Sequence, residues 1–201
     1  MPRKKTGATR GRIISSAWKL FYEQGYEETT IEDILEASGT SRGTFYHYFS
    51  GKDALLGTLA YVFDEKYEEL KDRIPKELDA VGQLQFLNHE LFGMVERSIS
   101  RDLLARLLST QLLASGERHL LDRNRTYFRM LRSICERGEA AHVFREDMDS
   151  RAVTKAYALW ERALLYDWCL CEGDYSLLAY TDQMTPVFLA GLRRSTQKEQ
   201  G

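Results

Sequence analysis

Residues 29–52 read TTIEDILEASGTSRGTFYHYFSGK, and the spacing within this stretch decides the fold of the first part of the chain. Thr30 followed three residues on by Asp33 has the form of a capping box and predicts a short helix with Ile31, Ile34 and Leu35 facing inward. Gly39 ends that helix, and Ser41 caps a second one over about 41–48. Two short helices joined by the tight turn Ala37-Ser38-Gly39-Thr40 make a helix-turn-helix. In such a unit the first helix braces and the second enters the major groove of DNA.

The second helix, Ser41-Arg42-Gly43-Thr44-Phe45-Tyr46-His47-Tyr48-Phe49, divides into two jobs. Phe45 and Phe49 lie one turn apart and pack inward. Arg42, Gly43, Thr44, Tyr46, His47 and Tyr48 are left facing outward, and three consecutive aromatic positions cannot all turn inward. The outward set suits DNA: Arg42 donates to guanine acceptors, Thr44 offers a hydroxyl or a methyl, and Gly43 lets the backbone come close. Tyr46 and Tyr48 suit phosphates.

Outward from this stretch, helical periodicity continues and no run alternates apolar with polar residues, so the chain is expected to be all-α. A first helix over about Thr9–Gln24 places Ile13, Ala17, Leu20 and Phe21 on one face and stops at Gly25. Ser50 with Asp53 signals a fourth helix carrying Leu55, Leu56, Leu59, Phe63 and Leu70, with Pro75 beyond its end. Residues 1–12 carry Arg3, Lys4, Lys5, Arg10 and Arg12 with no acid, while the other 23 basic and 30 acidic residues leave the remainder at −7. A cationic arm beside an acidic body fits a protein with one end on a polyanion, and a solubilising tail is the alternative.

Thr29-Thr30-Ile31-Glu32-Asp33-Ile34, Ala37-Ser38-Gly39, the helix 41–49 and Lys52 together resemble the tetracycline-repressor (TetR) family, most specifically over residues 10–56. The resemblance implies that Arg42, Gly43, Thr44 and His47 meet base edges. It also implies that Thr30, Tyr46, Tyr48 and Lys52 hold phosphates, with Lys52 at a helix start. It implies a homodimer on a palindromic double-stranded operator, and a small-molecule effector whose binding releases a repressor. The residues also leave open an effector-independent DNA-binding or nucleoid-associated protein.

The expected organisation is a basic arm over 1–8, the DNA-binding module over 9–54, a helical ligand-binding and dimerisation domain over 55–194 and a tail over 195–201. In the larger part, Leu84 to Ile99 and Leu103 to Leu112 mark helices, followed by one over about Glu117–Arg137 and a connection over Gly138–Met148. Asp149 starts a hairpin of helices over 150–172 and 175–194, the second bent by Pro186. Tyr157, Trp160, Leu164, Phe188 and Leu192 on this hairpin are the expected dimer contacts. Polar or aromatic groups on apolar faces, His89, Phe92, Tyr127 and Trp160, are the candidate pocket lining, with ordinary core packing the alternative for each.

At 201 residues, with 43% hydrophobic and 29% charged side chains, the chain has the material for a core. No apolar run is long enough to span a bilayer and none follows the basic start as in a signal peptide, so a cytoplasmic protein off the membrane is expected. Cys135, Cys169 and Cys171 have neither the spacing nor the partners of a zinc site, so no metal or cofactor is expected. An enzyme is disfavoured, since no phosphate loop, dinucleotide glycine fingerprint or nucleophile elbow occurs and His89-Glu90 lacks the second histidine of a zinc-protease motif.

Overall fold

The computed structural model describes residues 3–113 and 119–194. Among these residues the chain forms ten α-helices. The first five are α1 (Arg3–Glu23), α2 (Ile31–Ser38), α3 (Arg42–Tyr48), α4 (Lys52–Leu56) and α5 (Leu59–Leu70). They are followed by α6 (Ala80–Ser98), α7 (Arg101–Leu113), α8 (Thr126–Ala140), α9 (Ser150–Leu170) and α10 (Leu177–Ala190). The expected arm and tail fall partly outside this description, with residues 1–2, the side chains of 3–7 and all of 195–201 beyond it. From Arg3 the backbone is helical, so α1 starts ahead of the expected Thr9.

The chain divides into two compact units. The first holds the residues up to Tyr61 together with Asp102–Leu120, a larger body than the module expected over 9–54. Its core joins Ile13, Ala17 and Phe21 of α1, Ile34 of α2, Phe45 and Phe49 around α3, and Leu55 and Leu56 of α4, all buried. Leu103 of α7 belongs to the same cluster. Burying each of these large side chains contributes roughly 1.5–3 kcal/mol, which fixes helices too short to persist alone.

Local chemistry sets the ends of these helices. Gly25 takes φ +91 after α1, a left-handed conformation that favours glycine. Thr30 accepts from the Asp33 amide at 3.1 Å while its own amide donates to the Asp33 carboxylate at 2.8 Å, closing the expected capping box on α2. Gly39 closes α2 with φ +61, donating to the carbonyls of Leu35 and Glu36. The Ser41 hydroxyl accepts from the Thr44 amide and starts α3.

Two expectations for the fourth helix change. Gly51, not Ser50, precedes it, with no side-chain cap. The single helix expected through Leu70 is also interrupted after Leu56, at Gly57-Thr58. Glycine is a poor helix former, and the Thr58 hydroxyl donates to the Leu55 carbonyl at 2.6 Å while accepting from the Trp18 indole at 2.7 Å.

The second unit holds Val62–Arg101 and the chain from Leu121 onward. Asp79 caps α6 and Asp149 caps α9, each through its carboxylate on the amide three residues on. Ser176 caps α10, and the Glu96 carboxylate of α6 accepts from the amides of Leu177 and Leu178, both at 3.1 Å, placing an anion at the positive end of α10. That helix runs through Pro186 to Ala190. The helix expected over Glu117–Arg137 starts only at Thr126, because the Asp122 carboxylate accepts from the Asn124 amide in a turn. Its end at Ala140 lies within the connection expected from Gly138, and one antiparallel bridge pairs Phe144 with Arg193.

Candidate nucleic-acid interface

Helix α3 exposes part of the set expected to face outward, while Tyr48 turns toward the core. Phe45 is fully buried and Phe49 nearly so, with ring centroids 5.7 Å apart. Arg42, Gly43, Tyr46 and His47 are exposed, while Thr44 and Tyr48 are half-buried. Tyr48 packs against the core, and its ring lies 4.9 Å from that of His47. A Cβ added to Gly43 meets nothing within 4 Å, so a groove wall has open access to this backbone. The Thr30 hydroxyl accepts from the Asp33 amide and keeps its own proton to donate outward.

Two of the expected contacts are already engaged. The Arg42 guanidinium pairs with the Glu32 carboxylate of α2 across the turn, both side chains more than half exposed. Lys52 departs from its expected place on a phosphate. Its ammonium donates to the carbonyls of Tyr26 at 2.7 Å, Thr29 at 2.9 Å and Glu27 at 3.3 Å, and lies 4.3 Å from the centroid of the Tyr26 ring. An ammonium has three protons, and all three are used to hold the loop between α1 and α2. That loop is further fixed by the Tyr26 hydroxyl, which donates to Asp53, and by the buried Thr29 hydroxyl, which donates to the Gly25 carbonyl at 2.7 Å. Burial and the Asp53 carboxylate together raise the Tyr26 phenol well above its ordinary range.

Residues 13–59, which hold all of the helix-turn-helix, match the family described as bacterial regulatory proteins, tetR family. The chain belongs to the TetR family. It is a transcriptional regulator that binds DNA through this motif.

Relatives of this TetR-family regulator extend the likeness beyond the motif. It is 26% identical over 148 residues to the HTH-type transcriptional repressor KstR2 of Mycobacterium tuberculosis, covering 72% of this chain and 74% of that one. A TetR-family regulator from Pectobacterium atrosepticum has the same fold, with TM-score 0.74 at 18% identity over 97% of this chain and 99% of that one. The regulator FadR from Bacillus subtilis, solved in complex with stearoyl-CoA, superposes with TM-score 0.67 at 20% identity over 92% and 100%.

In the larger unit of the TetR-family chain the four expected pocket residues have different surroundings. His89 is exposed and pairs with Asp182 at 2.8 Å. Phe92 is fully buried in the core. Tyr127 is buried and donates to Glu161 at 2.7 Å, while Trp160 stacks on Phe188 with centroids 4.9 Å apart and donates to Thr185. A cleft of about 460 Å³ lies elsewhere, between α8 and α9, and contains none of these four residues.

The expected dimer contacts also change. Tyr157 is fully buried and donates to the Leu84 carbonyl at 2.8 Å, and Leu164 and Leu192 are buried too. Tyr157 and Leu164 lie on the side of α9 that packs into its own core, where Asn88 also donates to the buried Glu161. Trp160 and Phe188 remain half-buried. The outer face of the hairpin instead carries Leu159 (59% exposed), Tyr166 and Leu170 (63%) on α9, with Tyr180 and Val187 on α10. Alternate spacings of four and three residues through Leu159, Ala163, Tyr166 and Leu170 form a continuous apolar stripe, which the sequence shows only once the inward face is known.

Burial pushes the Cys135 and Cys169 thiols up to about 11, so neither is poised as a thiolate at neutral pH. Among the described residues no helix is long and apolar enough to cross a membrane.

Proposed function

We propose that this chain is a homodimeric repressor that holds a palindromic operator and leaves it when a small molecule occupies the larger unit. The observation that carries the reading is the face of α3, where a polar, sterically open surface stands on a helix anchored by Phe45 and Phe49. On this reading Arg42, Gly43, Thr44 and His47 meet base edges, and Thr30, Tyr46 and Tyr48 meet phosphates, with Lys52 supporting them from behind.

One seven-residue recognition helix reaches only a few base pairs, so specific binding calls for a second copy. The apolar stripe on α9, extended by Tyr180 and Val187, supports twofold pairing. Recognition helices paired in this way lie about 34–36 Å apart, or one further helical turn, and read inverted half-sites. Ligand control is supported by the cleft beside α9 and by the FadR complex, and repression by the relative KstR2. The cleft favours this reading over an effector-independent DNA-organising protein.

Selection of bound duplexes from a random pool by the purified chain tests the core of the reading. An enriched palindrome supports it, and recovery of unenriched DNA at moderate salt overturns it.

A further inference from the structure

The cleft between α8 and α9 has an unusual charge. Arg123, Arg132, Arg151, Lys155 and Arg162 line it, and among the described residues no acid does. None of these five forms an ion pair among the described residues, although acids outnumber bases in the chain as a whole. Elsewhere in the same unit arginines are paired: Arg125 with Asp64, Arg145 with Asp147 and Arg194 with Glu146. Unpaired cations gathered in one concavity repel each other, and an anion relieves that repulsion.

The spacing on α9 makes the arrangement regular. Arg151, Lys155, Ala158 and Arg162 follow at intervals of four, three and four, so they share one helix face about 16 Å long. Across from it, Arg132 sits one turn after Phe128 on α8. Leu121 and Phe128 supply apolar wall, and Ala152 and Ala158 are small enough to leave space between the cations. At about 460 Å³ the cleft falls in the range of small-molecule sites and is far too small for a duplex.

We propose that this cleft binds a small amphiphile with a phosphate head, its oxygens held by the arginine forks and its apolar body lying against Leu121 and Phe128. Guanidinium groups match phosphate oxygens in pairs, and an apolar body gains by covering the Leu121 and Phe128 side chains. The site itself is independent of DNA, but its role as the effector site rests on the ligand-controlled reading above.

Titration calorimetry of the full chain with octyl phosphate, inorganic phosphate and octyl glucoside tests the site without DNA. Octyl phosphate is expected to bind once per chain, at least tenfold more tightly than either the headgroup alone or the neutral amphiphile. Arg132→Gln combined with Arg151→Gln should weaken it at least tenfold with an unchanged circular dichroism spectrum, and Lys155→Gln should weaken it on its own. Absence of octyl phosphate binding, equal binding of octyl glucoside, or equal binding by the variants overturns the proposal. Inorganic phosphate binding as tightly as octyl phosphate overturns the apolar half of it. Operator affinity is then measured with and without octyl phosphate: release supports the cleft as the effector site, while binding without release leaves the site standing and overturns its regulatory role.

Discussion

The Arg42 guanidinium at the start of the recognition helix is held by the Glu32 carboxylate of the bracing helix, in a pair that spans the turn of the DNA-reading motif. DNA therefore competes with a carboxylate for this arginine, and Glu32 also places a negative charge beside the approaching phosphates. Glu32→Gln is expected to raise operator affinity about two- to fivefold, the scale of an exposed ion pair, and more at low salt. Fluorescence anisotropy with a labelled operator measures this; weaker binding would show that the pair positions Arg42 for DNA, and unchanged binding that the pair does not compete with it.

Lys52 holds three carbonyls of the loop between α1 and α2, so its loss should act first on folding. Lys52→Met keeps the aliphatic stem and leaves those carbonyls without their donor, at a cost of about 1–3 kcal/mol. Thermal unfolding should show a clear drop in Tm without DNA present. An unchanged Tm with weakened DNA binding would return Lys52 to the phosphate.

Gly138 has no room for a side chain. A Cβ there would overlap the Phe144 ring and the Ala80 methyl, bringing three segments of the larger unit into conflict. Gly138→Ala should destabilise the chain by about 1–3 kcal/mol despite the better helix propensity of alanine, as read from denaturant unfolding.

Glu161 lies buried in the larger unit, accepting from Tyr127 at 2.7 Å and from Asn88 at 3.3 Å, while Asn88 in turn accepts from Thr185. Burial pushes its carboxyl up to about 7 from an ordinary 4.5, against the opposing pull of these hydrogen bonds and of Arg162. Between these two values the folded chain keeps a proton that the unfolded chain has released. This group's contribution to stability is therefore full below about 4.5, falls as pH rises through 7, and is level above. Glu161→Gln lacks that fall, so its stability relative to the parent should increase between pH 5 and pH 8 by on the order of 3 kcal/mol. A difference independent of pH would place the proton elsewhere.

The exposed stripe on α9 predicts where association fails. Leu159→Glu introduces a charge at the centre of that face without touching the core, since Leu159 is mostly exposed. Sedimentation should show a dimer for the parent chain and a monomer for the variant with the same helical content, and DNA binding should fall with it. A variant that remains dimeric would place the interface elsewhere.

The motif was legible because its signals are local. A threonine capping box, a glycine at a left-handed helix end and two phenylalanines one turn apart act over three or four residues, and the folded chain shows each of them. The same rules located Asp149 as a cap and Gly25 as a stop. What the periodicity left undetermined was the direction of each face. Helix α9 carries apolar residues on more than one face, and its spacing alone offered Tyr157 and Leu164 as partner contacts. The buried Glu161 and its partners on α6, α8 and α10 resolve that choice, and those contacts join residues tens of positions apart.

Sequence by itself determined the all-helical class, the helix-turn-helix and its outward surface, since these follow from backbone capping and helical spacing within a few turns. Tertiary structure alone decided that Lys52 serves the loop, that Leu103 joins the core of the DNA-reading unit and that five cations with no ion pair among the described residues share one cleft. Each of these depends on which distant residue supplies the hydrogen-bond partner, the apolar neighbour or the missing counter-charge, and only the packed chain brings those partners within reach.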